Sequence, residues 1–546
     1  PTNILSVLGN TIENQRQIQL NGNVKISSLY NKVPFLKKVL AASPKKQRGG
    51  PGGPGGKDPK KPGMKPETVV KKPADSLKTK PKVNYFKIAG ETVIRLVFSL
   101  KDASLTYTQT EGTLLPGFNP SPGLLGNSAS LNAPGFGFIT GSQADIRFSA
   151  AQNGWLTEDS MFNSAYATKF TNNLNVRATI EPLPDLRIEL TGTRTYSEDH
   201  SEFFKVTNRE LSPPYTPVDR GSFSISTLTI GTSFSNTMDA DNNSEPYNNM
   251  KAYRKDVAFR LAGLNPSWDG TVVDSTGFPT GYSPTSQEVL HYSFLAAYTG
   301  GKASTVKLNA FPKIPLPNWR LTYKGLSNLE VVKKYFREVT ISHAYRSTYN
   351  VGNFATNLLY VDQGGFPSTI DGANNFITKL QISQIAITEQ FAPLFGLDLT
   401  WKNNILSKFE IKKSRNLSLS FTGNQLTEII TDDIVLGVGY RFKDVEIGFL
   451  SAGGGAAKKY KSDLNLKADI SIKTNRTVLR RIEEGINQIS AGQKVITINT
   501  SADYQMNEKV TLRLFFDKIL TNPFVSNQYA SSTTNGGISL RFTLSQ

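Results

Sequence analysis

The sequence predicts an all-β fold, part of an antiparallel transmembrane β-barrel with long extracellular loops and short periplasmic helices. Two observations carry this expectation. Many segments alternate apolar and polar residues with a period of two, and the connections between them differ in length on the two sides. In the clearest segment Leu464, Leu466, Ala468, Ile470 and Ile472 alternate with Asp463, Asn465, Lys467, Asp469, Ser471 and Lys473. Ile496–Tyr504, Val510–Phe516 and Ile538–Leu544 repeat the pattern, as do Leu174–Ile180 and Leu186–Leu190 across Pro182-Leu183-Pro184. Successive strand residues point to opposite faces, so each segment has one oily face and one wet face. A tilted strand of about 9–11 residues crosses a bilayer.

A soluble sheet packed on one side gives the same alternation. The wet face, however, carries Arg177, Arg187, Glu189, Lys467, Asp469 and Arg513. In a barrel these are lumen-facing. Leu464, Leu466, Ile470, Ile472, Leu512, Leu514, Leu540 and Phe542 are then lipid-facing. Trp401, Tyr440, Phe442, Phe449, Tyr504 and Phe516 fall near the expected strand ends, where aromatic rings suit a membrane interface.

Short turns are expected near Asn507-Glu508, Thr474-Asn475, Lys443-Asp444 and Ser414-Arg415. Longer connections are expected at Lys518–Gly536, Gly485–Gln493, Ser451–Ser462 and Thr422–Asp433. Such alternation resembles outer-membrane barrels, with short periplasmic turns and longer external loops. Carried backwards, it gives roughly seventeen strands, an odd number for a family of folds that closes with even counts. The chain opens on Pro-Thr-Asn rather than Met, which reads as part of a longer protein.

Three regions follow. Residues 1–43 hold a strand and a helix-like rim piece, Val33–Leu40. Residues 44–82 form a basic Pro/Gly/Lys linker, expected to be disordered and periplasmic. Residues 83–546 hold the remaining strands, with external loops at 111–170 and 197–316. Asn318–Leu326, Glu330–Phe336 and Val339–Tyr345 loosely repeat the strand, rim piece, strand order of the first region. Tyr253–Ala262 and Val289–Tyr298 look helical within the second long loop.

Composition narrows the chemistry. The 546 residues carry 62 Lys+Arg against 44 Asp+Glu, a net charge of +18, and no cysteine. Disulfides and thiolate metal sites or nucleophiles are therefore excluded. Half of the net charge lies in residues 44–82, which contain no aromatic residue to stack on bases, so no nucleic acid is expected as a partner. Glu198-Asp199-His200-Ser201-Glu202 matches no zinc spacing and reads as a polar loop. Asp239-Ala240-Asp241-Asn242-Asn243 begins like a calcium loop, but Met250 stands where the twelfth-position acid belongs. Gly135-Phe136-Gly137 lacks the remaining glycine of a dinucleotide fingerprint. Glu483-Glu484 beside Arg480-Arg481 suggests charge pairing at a rim rather than paired catalytic acids. His291 and His343 stand alone, and packing is their expected role. No catalytic constellation, cofactor site or metal site is expected.

Longer strings carry a resemblance. They are SLTYTQTEGTLLPGF (Ser104–Phe118), GWLT (Gly154–Thr157), NLNVRATIEPLPDLRIELTGTRTY (Asn173–Tyr196), NWRLTYKGL (Asn318–Leu326), YFREVTISHAYRSTYNVG (Tyr335–Gly352), APLFGLDLTWKNN (Ala392–Asn404), RRIEEGINQISAGQKV (Arg480–Val495) and RLFFDKILTNPFV (Arg513–Val525). Together they resemble the C-terminal part of the SprA/Sov family, the outer-membrane translocons of the type IX secretion system of Bacteroidota, which in some members also serve gliding motility. The resemblance implies a very large single-chain β-barrel of about 36 strands that passes folded proteins through its pore. It implies an outer-membrane location in a Gram-negative cell and a lipid bilayer as surroundings. It also implies a PorV-like shuttle, a periplasmic plug protein, and secreted cargo bearing a C-terminal sorting domain. Two other readings stay open from the residues: a TonB-dependent-type receptor or transporter, and a β-rich surface adhesin.

Overall fold

The structure, a computed structural model, describes residues 8–30, 32, 34, 99–121, 123, 126–128, 130–235, 242–449, 458–507, 510–526 and 528–542. The basic segment 44–82, the helix-like piece Val33–Leu40 (apart from Pro34) and Asp239-Ala240-Asp241 lie outside the described residues.

Among the described residues one antiparallel sheet of fourteen strands dominates. Its strands are β1 (Asn10–Val24), β2 (Leu100–Phe118), β3 (Ala165–Leu183), β4 (Leu186–Phe203), β5 (Tyr215–Ser226), β6 (Asn318–Tyr323) and β7 (Phe336–Thr356). They continue as β8 (Leu380–Trp401), β9 (Ile405–Ser420), β10 (Gln425–Phe449), β11 (Lys458–Arg481), β12 (Ile486–Asn507), β13 (Val510–Pro523) and β14 (Ser531–Phe542). Helices are α1 (Ile26–Tyr30), α2 (Phe136–Ile139), α3 (Arg147–Gln152), α4 (Glu245–Leu264), α5 (Gln287–Tyr298) and α6 (Glu330–Tyr335). No helix among the described residues is long and apolar enough to cross a membrane.

Neighbours in sequence are neighbours in the sheet, with one exception. β5 and β6 both lie between β4 and β7. β5 pairs with Arg194–Phe203 of β4 and with Thr348–Ala355 of β7. β6 pairs lower down, with Leu186–Thr191 and Ile341–Tyr345. The two therefore share one column, split at mid-height by residues 227–317. The split ends stay tied together: the Leu316 N–H donates to the Ser226 carbonyl at 3.0 Å, and the Ser226 hydroxyl donates to the Leu316 carbonyl at 2.6 Å.

Among the described residues the strands of this sheet are longer and fewer than the sequence suggests. β10 runs 25 residues and β11 runs 24. The expected turns at Ser414-Arg415, Thr474-Asn475 and Lys443-Asp444 lie inside β9, β11 and β10. The expected long connections shrink: tight turns at 421–424 and 482–485 replace Thr422–Asp433 and Gly485–Gln493. Gly485 takes a left-handed φ of 66° that a side chain would strain. The physical reason is that polar residues such as Lys413, Asp432 and Thr474 interrupt the apolar pattern without ending the ladder, because backbone pairing does not depend on side-chain polarity. The expected alternation therefore fails at 421–424 and 482–485, while up to β9 it holds, with long connections at 119–164 and 357–379 on one side and short turns at 184–185 and 402–404 on the other. The bounds of the two long segments also move: 111–118, 165–170, 197–203 and 215–226 are strand, leaving inserts at 119–164 and 227–317. α4 and α5 contain the two stretches that look helical in sequence.

The register decides which residues share a face. β10 pairs with β9 and with β11 from Gln425 to Tyr440 with no shift on either side. Leu426, Glu428 and Ile430 therefore share a face with Ile434, Leu436 and Val438. The first three are buried; the last three are exposed. What buries Leu426 is the insert 227–317. Tyr247, Met250, Val257 and Leu261 of α4 and Val289, Leu290 and Phe294 of α5 form one core with Phe223, Tyr349, Ile385, Ile387, Leu417, Leu419 and Leu426 of the sheet. Each fully buried side chain of this size contributes about 1.5–3 kcal/mol. The second insert builds a smaller core, with Leu156 and Phe162 packed on Leu115, Tyr166 and Phe204.

Candidate functional site: a two-faced wall

Below the inserts the sheet has two unlike faces. On the oily face, cross-strand rows run Leu397–Phe409–Leu436–Ile470–Ile498 and Leu399–Ser407–Val438–Ala468–Thr500. The row Tyr440–Leu466–Ala502–Leu514–Ile538 continues to the last strand. Leu464, Leu466, Ile470, Ile472, Leu512, Leu514, Leu540 and Phe542 all lie on this face, by their pairing with these rows. Leu436 is 46% exposed, Leu514 47% and Phe542 63%, so none is packed in a dry interior. Lys518 is a charged member of this face near the last strand, facing Ile498 and Thr534.

From Ile434 to Phe442 the band spans roughly 27 Å along the strand at about 3.4 Å per residue. Aromatic pairs flank it. Phe336 and Trp401 stand with centroids 4.2 Å apart at one edge, and Tyr440 with Phe442 at 4.4 Å. At the other edge Trp319, Tyr345 and Phe391 stack in series at 4.5 Å and 5.0 Å. Tyr345 and Phe391 at this second edge are each 1% exposed, whereas Phe442 at the first edge is 41% exposed.

The opposite face is wet from strand to strand. Arg177, Arg187, Glu189, Lys467, Asp469 and Arg513 all fall on it, since they alternate with residues of the oily rows. Most of its charges are matched locally. Lys467 meets Asp469 at 2.7 Å, Arg187 meets Glu189 at 2.8 Å, and Lys408 and Lys412 each meet Glu410 at 3.0 Å. Arg441 pairs with Asp463, and Arg513 lies 3.6 Å from Asp503. Exposed pairs of this kind stabilise by only about 0–1 kcal/mol. Their larger effect is to leave a hydrated surface with little uncompensated charge. A hollow of about 740 Å³ lies against this face, lined by Asp398, Lys408, Glu410, Arg441, Lys467 and Asp469 among others. A second, of about 540 Å³, is lined by Arg187, Glu189, Arg320 and Lys324. Leu406, Ile429, Val435, Val495, Phe515 and Ile519 are apolar members of this face.

Two buried ion pairs, both on the oily-face side, fasten the 227–317 insert to the wall. Glu389 and Arg415 are each 2% exposed and meet at 3.0 Å. The Glu389 carboxylate also accepts from the Thr229 hydroxyl at 2.5 Å, the Ser233 hydroxyl at 2.6 Å and the Tyr345 hydroxyl at 3.0 Å. Arg415 donates to the Thr232 carbonyl and hydroxyl, each at 3.0 Å. Glu428 and Arg480 meet at 2.8 Å, fully buried, and Arg480 lies over the Tyr247 ring at 4.7 Å. Sequence reasoning missed Glu389, Arg415 and Glu428. The available signal was a charge on the parity otherwise held by Ile385, Ile387, Leu417 and Leu419. Arg480 does not pair with Glu483 or Glu484; Arg481 meets Glu484 at 3.0 Å in the turn.

Other candidates resolve as structure. His200 lies in β4, not in a loop, with Nδ1 2.6 Å from Asp219 on the neighbouring strand. Gly135-Phe136-Gly137 begins the short α2. His291 is buried in α5 with Nε2 2.6 Å from the Tyr349 hydroxyl, and burial pushes its imidazole down to about 3. Burial pushes the Glu288 carboxyl, one turn earlier, up to about 7. His343 makes a 2.7 Å bond from its Nδ1 to the Leu394 carbonyl. Among the described residues no group of three His, Cys, Asp or Glu side chains is placed to hold a metal ion.

No protein-family model matches the chain. No curated protein matches it. Among solved structures it is similar to one described as the structure of the RagAB peptide transporter, at 8% identity and a TM-score of 0.22. That alignment covers 79% of this chain and 45% of the other, so the chain spans less than half of the structure it matches.

Proposed function

We propose that the chain is a stretch of wall from a large outer-membrane β-barrel that conducts folded proteins, of the SprA/Sov type. The observation that carries the proposal is the segregation of the two faces. A register unbroken along β10 from Gln425 to Tyr440 keeps an oily band on one side and a hydrated, locally neutralised surface on the other. Lipid takes the first and an aqueous lumen the second. A wide lumen passes a folded protein when its wall offers no extended oily patch and no strong field of one sign. The paired charges Lys467–Asp469, Arg187–Glu189 and Arg513–Asp503 suit that task. Driving energy comes from elsewhere in the assembly. On this reading the partners are a PorV-like shuttle, a periplasmic plug protein and cargo with a C-terminal sorting domain.

Photo-cross-linking in secreting cells tests the reading. Asn499 and Ile498 are adjacent in β12 and point to opposite faces. A photoreactive residue at Asn499 is expected to capture secreted polypeptide, and one at Ile498 to capture lipid. Absence of polypeptide adducts at Asn499, or cargo captured at Ile498, overturns it.

A further inference from the structure

A barrel insert is ordinarily pictured inside the pore or above it, but the register places this one elsewhere. The core of residues 227–317 rests on Leu426 and Leu419, and these share a face with the oily band, not with the charged wall. No register shift intervenes along β10 from Gln425 to Tyr440. If the oily band faces lipid, as the proposed function holds, the insert sits outside the barrel and directly above the hydrocarbon.

Both ends of the insert leave the wall at the upper aromatic row. Thr229 donates its N–H to the Tyr345 hydroxyl at 2.8 Å, and Leu316 is tied to Ser226 beside Trp319. At these ends apolar side chains remain exposed. Ile230 is 39% exposed and Phe234 57%, while Ile314 is 77% and Leu316 42%. Phe234 continues the aromatic row, 5.6 Å from Phe391, and Lys413 Nζ lies 5.1 Å from its ring centroid. Exposed Lys313 precedes Ile314. Apolar side chains with lysines beside them, continuous with an aromatic girdle, fit the headgroup layer of a membrane: rings and alkyl groups enter the acyl boundary while ammonium groups reach phosphate.

We infer that the ends of this insert form a membrane-surface shelf, with Ile230, Phe234, Ile314 and Leu316 dipping into the lipid leaflet above the band and Lys413 and Lys313 meeting anionic headgroups. The shelf fixes the height of the wall in the bilayer and seals the split column of β5 and β6 against lipid.

These 546 residues contain no cysteine that would compete for a label, which permits a direct test. Single-cysteine variants Phe234→Cys and Ile314→Cys of the intact protein carry a polarity-sensitive fluorophore in nanodiscs of phosphatidylethanolamine and phosphatidylglycerol. Nitroxide lipids quench it from a shallow or a deep position on the acyl chain. Leu436→Cys reports the band and Asp469→Cys the wet wall. Both shelf labels are expected to be quenched about twofold more by the shallow nitroxide than by the deep one, as an immersion of about 5–10 Å implies. Leu436→Cys should show the reverse preference. Shelf labels untouched by either nitroxide while Leu436→Cys is quenched overturn the shelf and leave the wall reading standing. Quenching of Asp469→Cys with Leu436→Cys unaffected overturns the wall reading itself.

Discussion

Replacing Glu389 by Gln should detach the 227–317 insert from the wall without dissolving the sheet. The carboxylate is 2% exposed and compensates a guanidinium that is equally buried. It also accepts three hydroxyl hydrogen bonds, from Thr229, Ser233 and Tyr345. Gln keeps the shape and removes the charge, leaving Arg415 buried and uncompensated. Breaking a buried pair in this way costs about 3–5 kcal/mol. The ladder β8–β9 is held by its own backbone bonds, so the loss should fall on the segment whose hydroxyls met the carboxylate. Amide hydrogen exchange is the direct assay. Protection of residues 227–235 should fall by about a hundredfold or more, since each 1.4 kcal/mol is tenfold, while residues 405–412 keep theirs. Thr388→Val, next door on the opposite, exposed face, should change neither. Unaltered protection at 227–235 would refute the idea that this carboxylate anchors the insert, as would equal opening of the whole strand.

Three further outcomes are expected. Ile470→Arg places a charge in the oily band at a cost of about 2–4 kcal/mol near its middle, whereas Asp469→Arg alters only the wet wall; heat-modifiable gel mobility should report impaired assembly for the first alone. Glu288 has its folded pKa raised from 4.5 to about 7, so its contribution to the stability of the insert is fully present below about pH 4.5 and is lost as pH rises through 7. Glu288→Gln should therefore stabilise the insert at pH 8 by at most about 3 kcal/mol, read as a higher melting temperature, and leave it nearly unchanged near pH 4.5. Gly221→Ala would bring a Cβ within 2.1 Å of the Ser197 carbonyl and 2.5 Å of Phe354, so β5 should separate from β4 and β7, measured as lost amide protection at 215–226.

The alternation of Leu464–Ile472 with Lys467 and Asp469 is local, and strand geometry converts it into two faces without further information. The β class, the sorting of the charged and apolar residues onto opposite faces, the short rim helix Glu330–Tyr335 and the helices within the second long segment were legible for that reason. Strand ends were not. Lys413, Asp432 and Thr474 look like turn residues in one dimension, yet each lies mid-ladder, where a partner strand on either side satisfies the backbone. Nor does any local signal join Ser226 to Leu316 into one split column, or bring Glu389 to Thr229 across the sheet. Those contacts depend on which strands become neighbours, and only the tertiary pairing decides that. The position of the insert follows from the same pairing. Parity counted along β10 puts α4 and α5 on the oily side, a consequence of register over the whole strand that no short stretch of sequence contains.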